Sequence, residues 1–309
     1  MHRRSFIKTA SLAAVAGVTT TGCGTGGVSA ENLPTISEEQ GLFVQVASLE
    51  ILTGRDRYLA FGAGNADLSP LPEDQPLQVF LRTIPITPDD RGELVAGPLD
   101  ATFSPAEETG LGVYYLRTDL DQAGLFEVVA VSGEEFGTAA LQVVDPAESQ
   151  LRDPSTGDPL IPGSMAVSAP TPTTADDLGV FSICTQDPPC GMHEMSLDEA
   201  LATGQPVALI FATPQFCQTA VCGPSVATLD SLRTGGDWGD TLFIHSEIFA
   251  SEPSGANVAA TPTTEAVTAW GLPSEPWLFT IHGDGTILGR LDGPMPSPIL
   301  ESMLQDLTA

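Results

Sequence analysis

The chain has 309 residues, with 11 Lys+Arg against 40 Asp+Glu and a formal net charge of −29. That balance excludes a nucleic-acid binder working through phosphate contacts, which needs a basic face, and it argues against adsorption of the folded body to an anionic membrane. Hydrophobic residues at 42% suffice for buried cores, 31 Gly and 26 Pro make the chain rich in turns, and the length predicts about two domains.

Residues 1–22 contain no acid. A basic start, Arg3-Arg4-Ser5-Phe6-Ile7-Lys8, precedes an apolar-to-small run from Ala10 to Val18 that is too short to span a bilayer. The segment reads as a secretory signal. Its Arg pair followed by Phe-Ile-Lys resembles the twin-arginine export signal, and Thr20-Thr21-Gly22-Cys23 resembles a lipobox. The resemblance implies cleavage before Cys23, lipidation of Cys23, and attachment of an outward-facing protein to the cell envelope. The other reading is a plain signal peptide with an incidental Cys. Residues 23–39 read as a flexible tether. No second apolar segment reaches spanning length, so the body is expected in a compartment where disulfides persist.

Residues 40–145 read as β. Short apolar runs recur between turn signals at Leu42–Val46, Tyr58–Phe61, Leu77–Ile84, Gly112–Leu116, Leu125–Val131 and Ala139–Val144. The β-branched, partly alternating composition of Phe126–Val131 and Leu141–Val144, with the turns at Asp121–Gly124 and Ser132-Gly133, predicts about seven strands. That number suits an all-β, immunoglobulin-like sandwich. The segment has no Cys and no Trp, so it is not of the antibody type. With no His, Cys or convergent acids, it reads as a binding or spacer module. Residues 146–180, rich in Pro, Ser, Thr, Asp and Gly, read as a linker or an extended wrap.

From 181 to 309 helices and strands alternate. Ser196 with Glu199 three residues on is a capping box for a helix that Gly204 closes. Pro206–Ala212 is a continuous apolar run, as in a strand buried on both faces. Leu242–His245 is a second strand, Thr264–Trp270 a helix, and Pro276–Ile281 a third strand. His282–Gly285 is a hairpin turn, Thr286–Leu291 the returning strand, and Ser297–Leu307 a terminal helix. With a helix starting near Gly223, the order is β-α-β-α-β-β-α.

Four Cys follow Cys23: Cys184, Cys190, Cys217 and Cys222. An even number in an exported chain predicts two disulfides, with three possible connectivities. Cys184 and Cys190 bracket a Pro-rich turn and read as a local structural staple. Cys217 and Cys222 follow the buried strand directly, where a helix N-terminus favours thiolate over thiol. Helical positions i and i+5 lie about 8–9 Å apart, beyond the ~7 Å limit for a bridge. A Cys217–Cys222 disulfide therefore requires an unwound segment, which Pro224 favours by suiting a first helical turn.

Segments 207–224 and Gly271–Trp277 resemble the thioredoxin superfamily, specifically exported thioredoxin-like lipoproteins. The resemblance covers about 190–309. It implies an α/β thioredoxin-like domain in which Cys217 attacks, Cys222 resolves and Pro276 takes the place of the cis-proline beside the active cysteine. The spacing of four residues between the cysteines departs from the usual two, Phe216 replaces the usual Trp, and Leu209 falls where many members keep a buried acid. The implied activity is thiol–disulfide exchange, with exported protein thiols or disulfides as partners and no cofactor. Three other readings stay open. A peroxiredoxin-like thiol peroxidase would oxidise Cys217 with peroxide, with Arg233 or Arg290 available to activate it. A copper metallochaperone would add His245 or His282, with His193 a weaker candidate, to the two thiolates. A non-catalytic surface module would use both disulfides as staples.

Overall fold

The computed structural model describes residues 28–72, 75–105, 112–254 and 258–309. The signal segment and Cys23 lie outside them. Among the described residues no helix is long and apolar enough to cross a membrane.

Eight strands form the first region: β1 (Leu42–Val46), β2 (Ile51–Leu52), β3 (Gly54–Asn65), β4 (Leu77–Thr83), β5 (Leu94–Pro105), β6 (Gly112–Leu120), β7 (Gly124–Ser132) and β8 (Glu135–Val144). They make one large curled sheet in the order β1-β3-β6-β5-β4-β7-β8-β2. The curl follows from β5, whose first part pairs with β4 and whose last residues, Thr102–Pro105, pair with β6. The two halves then face each other across a core that includes Leu59, Phe61, Val79, Leu81, Leu116, Val128 and Leu141. On β8, Gly137 lies so close to the Leu42 carbonyl of β1 that any Cβ there would overlap it. Strands β2 and β5 were not expected from the sequence. β5 carries Gly97-Pro98 in its middle and is mostly solvent-facing, so it lacks the apolar run that marks the others.

The second region holds α1 (Leu197–Thr203), β9 (Val207–Phe211), α2 (Cys222–Gly235), β10 (Leu242–Ser246), α3 (Glu265–Trp270), β11 (Trp277–Ile281), β12 (Ile287–Asp292) and α4 (Ser297–Thr308). Its four-stranded sheet has the order β10-β9-β11-β12. β10 runs parallel to β9, and β11 runs antiparallel to both β9 and β12. Because side chains alternate along a strand, the unbroken run of β9 feeds two cores. Val207, Leu209 and Phe211 pack with Leu197, Ala200, Val267, Trp270 and Phe279 on one face. Ala208 and Ile210 pack with Val226, Leu229, Leu300 and Leu304 on the other. Helices α1 and α3 thus cover one face, and α2 and α4 the other, which is why β9 has no polar residue. Gly204, at φ 75°, closes α1 in the left-handed conformation.

Residues 146–180 are an extended wrap. Leu151, Leu160 and Ala169 are buried in the core beneath Trp270, and the Trp270 indole N–H donates to the Val167 carbonyl at 2.9 Å. The two regions dock along β12. The Arg290 guanidinium pairs with Glu50 and donates to Ser149 Oγ at 3.1 Å and to the Leu160 carbonyl at 3.0 Å. The backbone amides of Leu49 and Glu50 donate to the Asp292 carboxylate, and Tyr58 Oη donates to the Pro294 carbonyl at 2.8 Å. Burial pushes the Asp292 carboxyl up to about 6.

Candidate redox site and an adjoining thiol–histidine cluster

Strand register assembles the site. Phe211, the last residue of β9, lies opposite Trp277, the first of β11, and beside Ser246, the last of β10. The residues that follow β9 therefore meet Glu275-Pro276 on one side and Glu247 on the other. Beyond Phe211 the chain leaves the sheet as a non-helical loop and enters α2 at Cys222. Ala220, at φ 57°, lies in that loop. The unwinding expected between the cysteines is therefore present, with the helix starting one residue before Gly223.

Cys217 and Cys222 are joined by a disulfide, with their Cα atoms 6.0 Å apart. Their environments differ. Cys217 is half-buried in the loop, with Thr219 Oγ1 3.3 Å from its sulfur. Cys222 is fully buried at the first position of α2. The half-buried Phe216 ring meets the exposed Phe181 edge-on at 5.8 Å, so an apolar rim borders Cys217. Pro276 is buried and follows a cis peptide bond.

One group here went unread in the sequence. The Glu275 carboxyl lies 3.5 Å from Cys222 Sγ and accepts a hydrogen bond from the Thr213 amide at 2.6 Å. Burial pushes it up to about 8; the Thr213 amide opposes the rise, the Glu247 charge adds to it, and His245 opposes it. At neutral pH this carboxyl therefore carries its proton. Its only sequence signal was its place immediately before Pro276. Glu247, also buried, accepts from Thr213 Oγ1 at 2.7 Å and from the amide and hydroxyl of Thr185 at 2.5 and 2.9 Å.

The staple expected between Cys184 and Cys190 is not formed. Both are thiols, with sulfurs 3.7 Å apart. Each sulfur instead faces imidazole nitrogen. Cys190 Sγ lies 3.3 Å from His193 Nε2 and 3.3 Å from His245 Nδ1, and Cys184 Sγ lies 3.9 Å from His245 Nδ1. Cys190, His193 and His245 are buried and Cys184 is half-buried. Hydrogen bonding from Cys190, then from the histidines, pushes the Cys184 thiol well down. The same contact, together with burial, pushes the Cys190 thiol up. Burial alone would lower His245, but Cys184 and Glu247 outweigh it and hold its pKa up.

The other candidates are dispersed. His245 belongs to the Cys184–Cys190 cluster rather than to Cys217 and Cys222, and His282 sits in the β11–β12 hairpin. Arg233 pairs with Asp230, and Arg290 with Glu50. Leu209 is buried in the apolar core.

No protein-family model matches the chain, and no curated protein matches it. Solved structures match about a third of the chain weakly. Titin M4 aligns over 35% of this chain and 98% of its own at 8% identity, with a TM-score of 0.19. The human B7-H4 IgV-like domain aligns over 34% and 96% at 13% identity, with a TM-score of 0.20. A β-glucosidase from Listeria innocua aligns over 33% of this chain and 16% of its own at 16% identity, with a TM-score of 0.20. Similarities this weak support no functional conclusion.

Proposed function

We propose that this chain is an exported, lipid-anchored thiol–disulfide oxidoreductase, with an immunoglobulin-like module carrying a thioredoxin-like domain. The observation that carries the reading is the asymmetry of the Cys217–Cys222 pair: a reachable sulfur bonded to a buried one, with a protonated carboxyl 3.5 Å from the buried sulfur. The strand order β10-β9-β11-β12 with helices on both faces supports the thioredoxin-like assignment. The curled eight-stranded sheet supports the sandwich assignment. The signal-like residues 1–22 and Cys23 support the anchored, outward-facing location.

In the exchange, a client thiolate attacks Cys217 Sγ and the Cys217–Cys222 bond breaks. Cys222 leaves as a thiolate and takes the proton of the Glu275 carboxyl. A second client thiolate then attacks the client sulfur of the mixed disulfide, and Cys217 leaves as a thiolate. The client ends as a disulfide and this chain as a dithiol; the reverse sequence reduces a client. The direction follows from the two reduction potentials. Glu275 does here what a buried acid at the position of Leu209 does in related domains. The apolar rim of Phe181 and Phe216 offers a client its first contact.

The test is trapping. In the full chain, Cys222→Ser leaves Cys217 as a free thiol with no resolving partner, so on attacking a protein disulfide it is expected to accumulate as a mixed disulfide, one client sulfur leaving as a thiolate. Cys217→Ser should form none. The potential gives a second measure: a reversible couple between about −120 and −270 mV matches known carriers. A bond still intact below about −300 mV, with no trapped species, would reduce the pair to a staple and refute the assignment.

A further inference from the structure

We propose that Cys184, Cys190, His193 and His245 form a tetrahedral Cys2His2 site for Zn2+. The four ligand atoms all lie within 4.8 Å of one another. Four tetrahedral ligands with Zn–S of about 2.3 Å and Zn–N of about 2.0 Å place two sulfurs about 3.8 Å apart and sulfur and nitrogen about 3.5 Å apart. The observed separations are 3.7 Å between sulfurs, and 3.3, 3.3 and 3.9 Å from sulfur to nitrogen. The arrangement therefore already has the size of a zinc tetrahedron.

The surroundings favour an ion over a mere polar cluster. His245 Nε2 lies 3.0 Å from the Ala212 carbonyl. A carbonyl can only accept, so Nε2 carries a proton, and Nδ1, the nitrogen that faces both sulfurs, is the one left to ligate in the neutral ring. Ligating histidines are commonly held this way, their second nitrogen donating to a backbone carbonyl or carboxylate. Two thiolates balance the charge of one Zn2+, which makes burial of the site electrically neutral. Four protein ligands with no open position are the mark of a structural rather than a catalytic zinc site. The ligand set mixes thiolate and imidazole, which suits Zn2+ and not the hard oxygen-seeking cations.

Backbone pairing fixes the two ligand-bearing segments together. The His245 amide donates to the Met192 carbonyl at 2.9 Å, and the Thr174 amide donates to the His193 carbonyl at 2.9 Å. This second site is separate from the Cys217–Cys222 pair but shares a wall with it. Ala212 receives the His245 ring and opens the loop that carries Cys217, while Thr213 binds both Glu247 and Glu275. An ion between Cys184, Cys190, His193 and His245 would pin the loop of residues 184–193 to β10. Through Ala212 it would also pin the base of the redox loop.

The experiment uses the reduced full chain carrying Cys23→Ser, Cys217→Ser and Cys222→Ser, which removes the three other thiols from competition. One equivalent of Zn2+ per chain is expected by elemental analysis. Replacement with Co2+ should give thiolate charge-transfer absorption and intense tetrahedral ligand-field bands. Cys184→Ser, which alters the half-buried ligand and disturbs packing least, and His193→Gln should each abolish the Co2+ spectrum while the far-ultraviolet circular dichroism is retained. Zn2+ should raise the melting temperature of the parent protein and leave that of Cys184→Ser unmoved. Absence of Zn2+ and Co2+ binding in the reduced parent would overturn the proposal. So would a Co2+ spectrum unaffected by Cys184→Ser and His193→Gln, or a Cys184–Cys190 disulfide found by mass mapping of the untreated protein.

Discussion

Replacing Glu275 by Gln should make the stability of this protein less sensitive to pH. Gln keeps the shape of the side chain and an oxygen to accept the Thr213 amide, but it cannot ionise. In the folded chain burial raises Glu275 from an ordinary 4.5 to about 8. A group raised in the folded state contributes its full stability below the unfolded value and loses it as pH climbs through the folded one. Between the two values the folded chain binds one more proton than the unfolded chain, so wild-type stability falls by about 1.4 kcal/mol per pH unit. Across the interval from 4.5 to about 8 the loss totals roughly 5 kcal/mol, and above it stability levels off. Other titrating groups contribute to both proteins and cancel in the difference. The assay is urea unfolding of the oxidised full chain and of Glu275→Gln at a series of pH values from about 5 to about 9. The difference should grow in favour of Glu275→Gln by several kcal/mol over that range and then flatten. A difference that stays constant would mean that Glu275 is ionised in the folded chain, and the proton donor assigned to Cys222 would be lost with it.

Two further predictions concern the frame that holds the site. Arg290→Ala leaves Glu50 buried without its partner and should cost about 3–5 kcal/mol in chemical unfolding. The paired replacement Arg290→Met with Glu50→Leu should recover most of that loss, and a double variant as unstable as the single one would refute the account. Gly204→Ala puts a Cβ on a left-handed residue at φ 75°, where it would meet the Gly283 carbonyl oxygen at an ordinary 3.8 Å without overlap. It should therefore cost on the order of 1 kcal/mol from backbone strain alone, read as a small drop in the urea midpoint. An unchanged midpoint would show that α1 can end without the left-handed turn.

Much of the architecture was legible because it rests on periodicity. The run Val207–Phe211 could be read as a strand buried on both faces, and the four-stranded sheet that places it between two helical layers accounts for that run. The capping box at Ser196 and the hairpin after Ile281 were readable from a few residues each, since their hydrogen bonds are local. Strand β5 was not legible: its Gly97-Pro98 step mimics a break, and its pairing is supplied by two partners distant in sequence. The alternative left for 146–180 was decided by Leu151, Leu160 and Ala169, three apolar residues in a polar segment that find their core only when α3 is in place.

The cysteines divide in the same way. Sequence by itself determined that Cys217 and Cys222 follow a buried strand at the mouth of a helix, and that bridging them requires an unwound loop. Both facts depend on neighbours in the chain. Tertiary structure alone decided which acid serves them and what Cys184 and Cys190 do. Glu275 is 53 residues beyond Cys222, and it arrives there because Trp277 pairs with Phe211 in the sheet. Its protonation depends on burial, which no local pattern records. Cys184 and Cys190 read as a staple by their spacing, yet His245, 55 residues past Cys190, turns them toward imidazole. Contacts of that separation exist only once β9 and β10 lie side by side, so the chemistry of this end of the sheet belongs to the register of its strands.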